Sequence, residues 1–453
     1  MTENSPQSET GASRTLIVGL GQTGLSCARF LSSRGIPAVI IDSRSHPPGL
    51  SMLREQMFGV SVVTGGFDPL VFAAADRLIV SPGISLEEPQ IRMARERGVE
   101  VLGDIELFAH EAGAPVVAIT GSNGKSTVTT LVGEMARRAG RRVAVGGNLG
   151  PPALDLLVDD VDLYVLELSS FQLETTRSLR PKAAVVLNLS PDHLDRHASF
   201  EGYAAAKSAI YKGAQTRIFN RDDPGVMAMC GEGGEDLFFT LQEPRRDEFG
   251  LRLLGGESWL CRGDQPLLPA VQLRLSGRHN LANALAALAL GSALDLPMPA
   301  MLETLRSFRG LPHRTWFVAE TAGVRWYDDS KATNVGACIA ALEGMAPGAG
   351  RIVLIAGGES KDADFSALAP VVERTARAVV LMGRDAGLIE RALDGCVPVV
   401  RAADMEDAVA RAAGLARPGD LVLLSPACAS FDMFPSFAHR GKAFADAVRR
   451  LPG

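Results

Sequence analysis

Short β-branched runs alternate with longer stretches rich in Ala, Leu and Arg along almost the whole chain. That alternation predicts βαβ units and mainly parallel sheets. It falls into three blocks. In the first, TLIV at 15–18 reads as a strand, GLGQTG at 19–24 as a turn, and a helix follows as far as Arg34. AVII at 38–41 is a second strand ending at Asp42, and LIVSPG at 78–83 is a later strand with a loop at its end. The second block opens after Gly103 and Asp104. Its predicted strands are 115–119, 163–168, 183–189 and 217–220, with a helix over 126–138. Residues 230–274 show only hairpin-like runs at 237–241 and 250–254 and are expected to be irregular and peripheral. The third block begins near Leu311. Its predicted strands are 351–356, 378–382, 397–400 and 421–424, and a helix from about Phe437 to Leu451 closes the chain. No solenoid period is visible. The expected class is α/β with three domains. These are a Rossmann-like N-terminal domain (1–103), a central P-loop ATPase-like domain with a parallel sheet (104–310) and a C-terminal Rossmann-like α/β domain (311–453).

The composition narrows the function classes. The 453 residues are 46% hydrophobic, enough for several cores, and the formal net charge is −6. A general nucleic-acid binder would be basic, so none is expected, although a local positive pocket for an anionic small molecule fits. The six cysteines form no C-x-x-C pair, which speaks against a disulfide framework or zinc knuckle and for thiols in a reducing compartment. Met1 to Ser13 is polar, lacks the apolar core of a signal peptide, and reads as a short disordered tail. The longest apolar helical stretch, 281–294, contains Asn283 and is too short to span a bilayer. A cytoplasmic monomer without membrane insertion is expected.

Two loops carry candidate chemistry. GLGQTG lies in the strand–turn–helix–strand–Asp context of a dinucleotide fingerprint, with phosphate expected at the helix N-terminus. A nucleotide-sugar diphosphate meets the same demands as NAD, and a tight turn that binds nothing remains the plain alternative. The second loop lies in AITGSNGKST at 118–127. It ends like a phosphate-binding loop but has Ile119 where the usual first glycine would stand. Gly121 to Gly124 supply a nest of N–H groups, Lys125 a cation, and Ser126 and Thr127 hydroxyls. Glu167, at the end of an apolar run, is the candidate magnesium carboxylate. In NLSPDHLDRH at 188–197, His193 and His197 stand four apart without the glutamate of a zinc motif. His193 is the better ligand or substrate contact, and His197 reads as surface.

GSNGKST (121–127), LELSSFQ (166–172) and DHLD (192–195) together resemble the Mur ligases, ATP-dependent amide-forming enzymes of peptidoglycan precursor synthesis, whose phosphate loop has this short form. Third-block motifs LPHR (311–314), DSKATN (329–334), GGESKDADF (357–365) and SPACASFD (425–432) are similar to those of the branch that adds D-glutamate to UDP-N-acetylmuramoyl-L-alanine. The resemblance runs from Gly19 to the last helix and implies a two-step reaction. ATP phosphorylates the alanyl carboxylate, and the amine of D-glutamate then attacks the acyl phosphate.

The same resemblance assigns roles. Gly21, Gln22, Thr23, Gly24, Asp42, Ser81, Pro82 and Gly83 would surround the UDP part, and Asn148, Ser169 and Gln172 the muramoyl-alanine. Gly121, Ser122, Asn123, Gly124, Lys125, Ser126 and Thr127 would hold the ATP phosphates, Asn280 and Asn283 the adenine, with Arg314, Asp329 and Lys331 closing over ATP. Two Mg²⁺ ions would be held by Ser126, Glu167, His193 and Lys207. By sequence alone Lys207 is a solvated helix lysine. The resemblance implies that it carries a carbamate, an anionic oxygen ligand suited to a hard cation. Lys331, Thr333, Lys361, Ser430 and Phe437 would bind D-glutamate, and the choice of D over L comes from the resemblance alone. Ser122 departs from the threonine of many members, and Gln22 falls at a variable position. The competing readings are another Mur-type or folylpolyglutamate-type ligase with a different amino acid or acceptor, a nicotinamide-dependent oxidoreductase, and a non-catalytic nucleotide binder. The oxidoreductase reading leaves two blocks unexplained, and the set Lys125, Ser126 and Glu167 speaks against the last.

Overall fold

The computed structural model describes residues 14–57, 59–231, 235–275, 277–345, 350–360 and 363–451, with the backbone alone at 194 and 195. The predicted N-terminal tail and Lys361 lie outside the described residues. The chain forms two compact units. One runs up to Val116 and includes Val143–Pro181, and the other comprises Val117–Arg142 and the chain from Lys182 onward.

The first unit holds a five-stranded, wholly parallel sheet in the order Ser61–Thr64, Ala38–Asp42, Thr15–Val18, Arg77–Val80, Glu100–Leu102. The apolar run Thr15–Val18 is buried at every position, as a central parallel strand covered on both faces must be. The chain leaves this strand in one direction for Ala38–Asp42 and later returns to its other side as Arg77–Val80. That reversal opens a crevice at the strands' carboxyl ends, and the loops after Val18 and Val80 both lie there. Gly24 lets the following helix, Gln22–Ser33, come close: a Cβ there would lie 1.9 Å from the Gly19 carbonyl oxygen. The same unit carries the parallel pair Val143–Gly147 and Leu163–Glu167.

In the second unit, residues 117–120 pair in parallel with Ala183–Val186. The sheet continues through Thr216–Asn220, Glu235–Phe239, Phe249–Leu254, Glu257–Arg262 and Gln265–Pro269. The stretch expected to be irregular is therefore regular β structure. Two turns make it so. Gly255 and Gly256, with φ of +59° and +86°, join one antiparallel pair, and Gly263, at +54°, joins the next. Paired positive-φ residues match the twist of a two-residue hairpin, so the Gly-Gly dipeptide was the available signal. Solvent-facing Leu253 and Leu254 obscure the alternation around it.

A six-stranded sheet follows in the same unit: Trp316–Thr321, Val324–Asp328, Leu421–Leu424, Ile352–Ala356, Ala376–Leu381, Val399–Arg401. Its last four members are the predicted strands within two residues. The first two form an antiparallel pair that the sequence reading did not include. Period-two alternation decides the packing. Leu354 and Leu423 face the helix Val335–Met345, whereas Val353 and Val422 face Met405–Leu415 and Phe437–Arg449. Among the described residues, no helix is long and apolar enough to cross a membrane.

Candidate active site

The phosphate-type loop sits between the buried strand Val116–Thr120 and the helix Lys125–Arg138. Gly124, with φ +84°, caps the helix and leaves the first N–H groups of the helix without intrahelical acceptors. The loop is held by side chains from elsewhere. Asn188 accepts from Asn123 N at 2.8 Å and donates to its carbonyl at 3.1 Å. The strand predicted over 183–189 ends at Val186, which frees Asn188 for this task. The Ser122 hydroxyl is 2.9 Å from the Tyr203 phenol, 3.0 Å from Ser190 O and accepts from Ser190 N. Ser122 is thus bound by its side chain as well as by its place in the loop. Lys125 Nζ donates to Gly121 O at 2.8 Å and Ser122 O at 3.0 Å, and Arg314 Nη2 donates to Ser126 Oγ at 2.6 Å.

A cleft of about 840 Å³ opens beside this loop. Of the predicted nucleotide contacts it gathers Asn123, Gly124, Thr127, Asn280, Asn283, Arg314, Asp329 and Lys331. Gly121, Ser122, Lys125 and Ser126 do not line it. Asn283 Nδ2 donates to Asn280 Oδ1 at 3.1 Å. The buried Asp329 carboxyl, pushed up to about 7 by burial, accepts from Thr315 N and Ser425 Oγ. Gly124 is the tightest point: a Cβ there would lie 2.3 Å from Asn283 Oδ1. Gly124→Ala is therefore expected to lower stability by about 1–2 kcal/mol, because an L side chain is forced into a left-handed backbone. Mg-ATP is expected to raise the melting temperature of the parent and not that of the variant, and thermal unfolding with and without nucleotide checks both effects.

Lys207 differs from its sequence reading. It is 2% exposed, not solvated. Tyr203 and Lys207 stand four apart on the helix Phe200–Ser208 and so share one face, which is turned inward. Lys207 Nζ donates to Gly121 O at 3.0 Å and Thr120 Oγ1 at 3.3 Å, and lies 4.7 Å from the centre of the Tyr203 ring. His193 is half-buried, has φ +53°, and its Nε2 is 3.7 Å from Asp192 Oδ2. His197 is also not plain surface, since its half-buried ring packs edge-on against Tyr203 at 5.4 Å. Asn334, unassigned by sequence, donates to Asn123 Oδ1 and Asp192 Oδ2.

Of the predicted amino-acid contacts, Lys331 Nζ lies 4.3 Å from the centre of the Phe437 ring, Ser430 is buried, and Thr333 is half-buried. Lys361 lies outside the described residues. His313 Nδ1 meets Asp328 Oδ2 at 2.6 Å, and the His313 ring packs edge-on against Phe437.

In the first unit a cleft of about 1180 Å³ is lined by Gly21, Gln22, Thr23, Ser81, Pro82, Gly83, Asn148 and Gln172. Gly24, Asp42 and Ser169 are not on its wall. Asp42 is fully buried, and both its oxygens are engaged. Oδ2 accepts from Leu20 N and Arg44 Nη2, and Oδ1 accepts from Arg44 N and Nε. Burial opposes its charge, but the guanidinium and the N–H groups hold the carboxyl below the usual range. Asp42 thus presents Arg44, which lines the cleft. Ser169 and Gln172 form a reciprocal capping box, and Gln172 Nε2 donates to the buried Asp104 at 3.1 Å. Glu167 is buried. Its Oε1 accepts from Asn148 Nδ2 at 2.6 Å, while Oε2 has no hydrogen-bond partner among the described residues.

That orphaned oxygen suits a hard cation. Among the described residues, no cluster of three or more His, Cys, Asp or Glu could enclose a metal. Mg²⁺ rarely uses such a cage, since it keeps waters and shares one or two carboxylates with substrate phosphates. The Glu167 oxygen therefore fits a single contact to a magnesium ion.

Three family models match the chain. They are the Mur ligase MurD-like N-terminal domain over residues 13–103, the Mur ligase middle domain over 119–291, and the Mur ligase glutamate ligase domain over 313–428. A UDP-N-acetylmuramoylalanine–D-glutamate ligase of Nitrosococcus oceani is 55% identical over 449 residues, covering 99% of each chain. The Pseudomonas aeruginosa enzyme of that name is 53% identical over 437 residues, 96% of this chain and 98% of the other. Among solved structures, a pseudomurein peptide ligase type C from Methanothermus fervidus matches with TM-score 0.63 at 18% identity, covering 97% of this chain and all of the other. The UDP-N-acetylmuramate–alanine ligase of Thermotoga maritima matches with TM-score 0.61 at 18% identity, over 96% and 99% of the two chains. The structures establish the fold, and the near full-length identity establishes the rest: the chain belongs to the Mur ligases, within the family of UDP-N-acetylmuramoylalanine–D-glutamate ligases.

Proposed function

We infer that this chain joins D-glutamate to UDP-N-acetylmuramoyl-L-alanine at the expense of ATP, in the cytoplasm, as a monomer. The observation that carries the reading is the 55% identity over 99% of both chains to an enzyme named for that reaction. A three-domain division at 103 and 310 is supported by three separate family models, over 13–103, 119–291 and 313–428.

A carboxylate is a poor electrophile, so its oxygen first attacks the γ-phosphorus of ATP. This forms an acyl phosphate and releases ADP. The amine of D-glutamate then attacks the carbonyl carbon, and phosphate leaves. On this reading the nest from Gly121 to Gly124 binds the transferring phosphate through N–H groups, which cost no reorganisation during reaction. Lys125 moves its ammonium from the carbonyls of Gly121 and Ser122 to the γ-phosphate. Asn280 and Asn283 accept the adenine, and Arg314 moves from Ser126 to the nucleotide. Ser126, Glu167, His193 and Lys207 would hold two Mg²⁺ ions, which when bound neutralise charge on the phosphates. Lys207 takes part as a carbamate: its neutral amine forms an N–C bond with CO₂ and loses a proton. An unmodified ammonium beside Mg²⁺ would repel it.

In the first unit, the loops at 21–24 and 81–83 together with Arg44 hold the UDP part, while Asn148 and Gln172 hold the muramoyl-alanine part. Lys331, Thr333, Lys361 and Ser430 bind the D-glutamate carboxylates against Phe437. Water exclusion around the acyl phosphate limits its hydrolysis.

Phosphate release with Mg-ATP and UDP-N-acetylmuramoyl-L-alanine, with D-glutamate, L-glutamate, L-lysine or no amino acid, tests the reading. Release is expected with D-glutamate alone. Release with another amino acid would assign a different member of the family, and none with any would mean a different acceptor.

A further inference from the structure

The helix Phe437–Arg449 buries one guanidinium. Arg440 is 2% exposed, among residues that the reaction as described above does not use. Its four hydrogen bonds all go to neutral oxygens. Nε donates to Ser330 Oγ at 2.9 Å, Nη1 to Ala429 O at 3.2 Å, and Nη2 to Ser330 O at 2.9 Å and Cys428 O at 3.1 Å. Ser330 Oγ in turn donates to Phe437 O at 2.8 Å. The groups so fixed have adjacent neighbours of interest. Ser330 precedes Lys331, Ala429 precedes Ser430, and Phe437 opens the helix that carries Arg440.

A planar fork with five donors suits this task, and a lysine, a single point with three donors, does not. The charge has a second consequence. The Cys428 thiol, Asp432 and Asp328 act on it through the field alone, and a buried cation bonded to carbonyls and a hydroxyl is only partly offset by them. Burial pulls the guanidinium down to about 10, so it is still cationic at neutral pH.

We propose that Arg440 is the positioning residue of the amino-acid pocket, locking the loops of Lys331 and Ser430 and the helix start at Phe437 in one arrangement and adding positive potential for a substrate with two carboxylates. The proposal rests on the D-glutamate site described above. It reaches beyond that site because Arg440 acts through the residues that touch substrate.

The test uses the full-length chain with Arg440→Gln, Arg440→Lys and Ser330→Ala. Three quantities are measured: kcat and KM for D-glutamate, KM for ATP and for the UDP substrate, and acyl-phosphate formation trapped with hydroxylamine in the absence of amino acid. Arg440→Gln is expected to raise KM for D-glutamate by roughly ten- to a hundredfold, the cost of misplacing contacts by about 1 Å. Acyl-phosphate trapping and the other two KM values should stay within about twofold. Arg440→Lys keeps the charge but loses the fork, so its KM should fall between those of the parent and Arg440→Gln. Ser330→Ala removes the hydroxyl that joins Arg440 Nε to Phe437 O but leaves the other three bonds of Arg440, so it should give a smaller rise, which keeps the test alive if Arg440→Gln does not fold. A fall in kcat that merely tracks the folded fraction, with KM for D-glutamate unchanged in all three, overturns the proposal. If the parent traps acyl phosphate yet ignores D-glutamate, the substrate reading has failed instead. The same KM comparison, run with the amino acid the parent accepts, then decides the role of Arg440.

Discussion

Lys207→Ala is expected to lower ligation by about 10²–10³-fold, the usual loss when one preorganised electrostatic group is removed from a transition state. Short carboxylates such as formate or acetate should restore part of it, because the truncation leaves room where an anionic oxygen belongs. The buried setting allows a clean control. An ammonium that is 2% exposed carries a desolvation cost that a methionine of similar length would not. Lys207→Met should therefore be as inactive as Lys207→Ala while melting at or above the temperature of the parent. A ¹³C carbamate resonance after growth in labelled bicarbonate, present in the parent and absent in both variants, completes the case. Near-parent turnover by Lys207→Ala would remove Lys207 from the mechanism.

Lys125→Ala should cost a similar factor, about 10²–10³ in kcat, and should block both phosphate release and hydroxylamine trapping. The two lysines separate by their rescue. No carboxylate replaces Lys125, since what is lost there is a cation. Stability should change little, because Lys125 is only partly buried. Measuring ADP formation and thermal unfolding on the same preparation distinguishes lost chemistry from lost folding. Residual turnover within a few-fold of the parent would show that the loop amides suffice without the ammonium.

These variants differ in how visible their residues are in the chain. Lys125 was legible at once, because a strand, a glycine nest and a Lys-Ser pair at a helix start form a local motif. Glu167 was legible as a lone acid closing an apolar run. Lys207 was not: a lysine in an Ala-rich helix reads as solvated, and only its packing reveals otherwise. Arg440 was also hidden, since an arginine one turn into an amphipathic helix gives no sign that it reaches two other loops. Asn188, Asn334 and Tyr203 hold the phosphate loop from 65, 211 and 81 residues away in sequence.

What the sequence determined by itself was local. Period-two and helical patterning set most strands and helices, the glycines set the two phosphate-type turns, and the motif order set the family. The hairpins over 249–269 and the pair Trp316–Thr321 with Val324–Asp328 needed the folded sheet, because what stabilises a strand is its packing against cross-strand and same-face neighbours. Tertiary structure alone decided which charges are buried and what meets them. Asp42 gives its carboxylate to Arg44, Lys207 enters the space beneath the phosphate loop, and Arg440 spans loops about a hundred residues apart in sequence. The physical reason is the range of the forces. Backbone propensity and hydrophobic period act over a few residues, whereas desolvation and ion placement depend on every element that closes around the group.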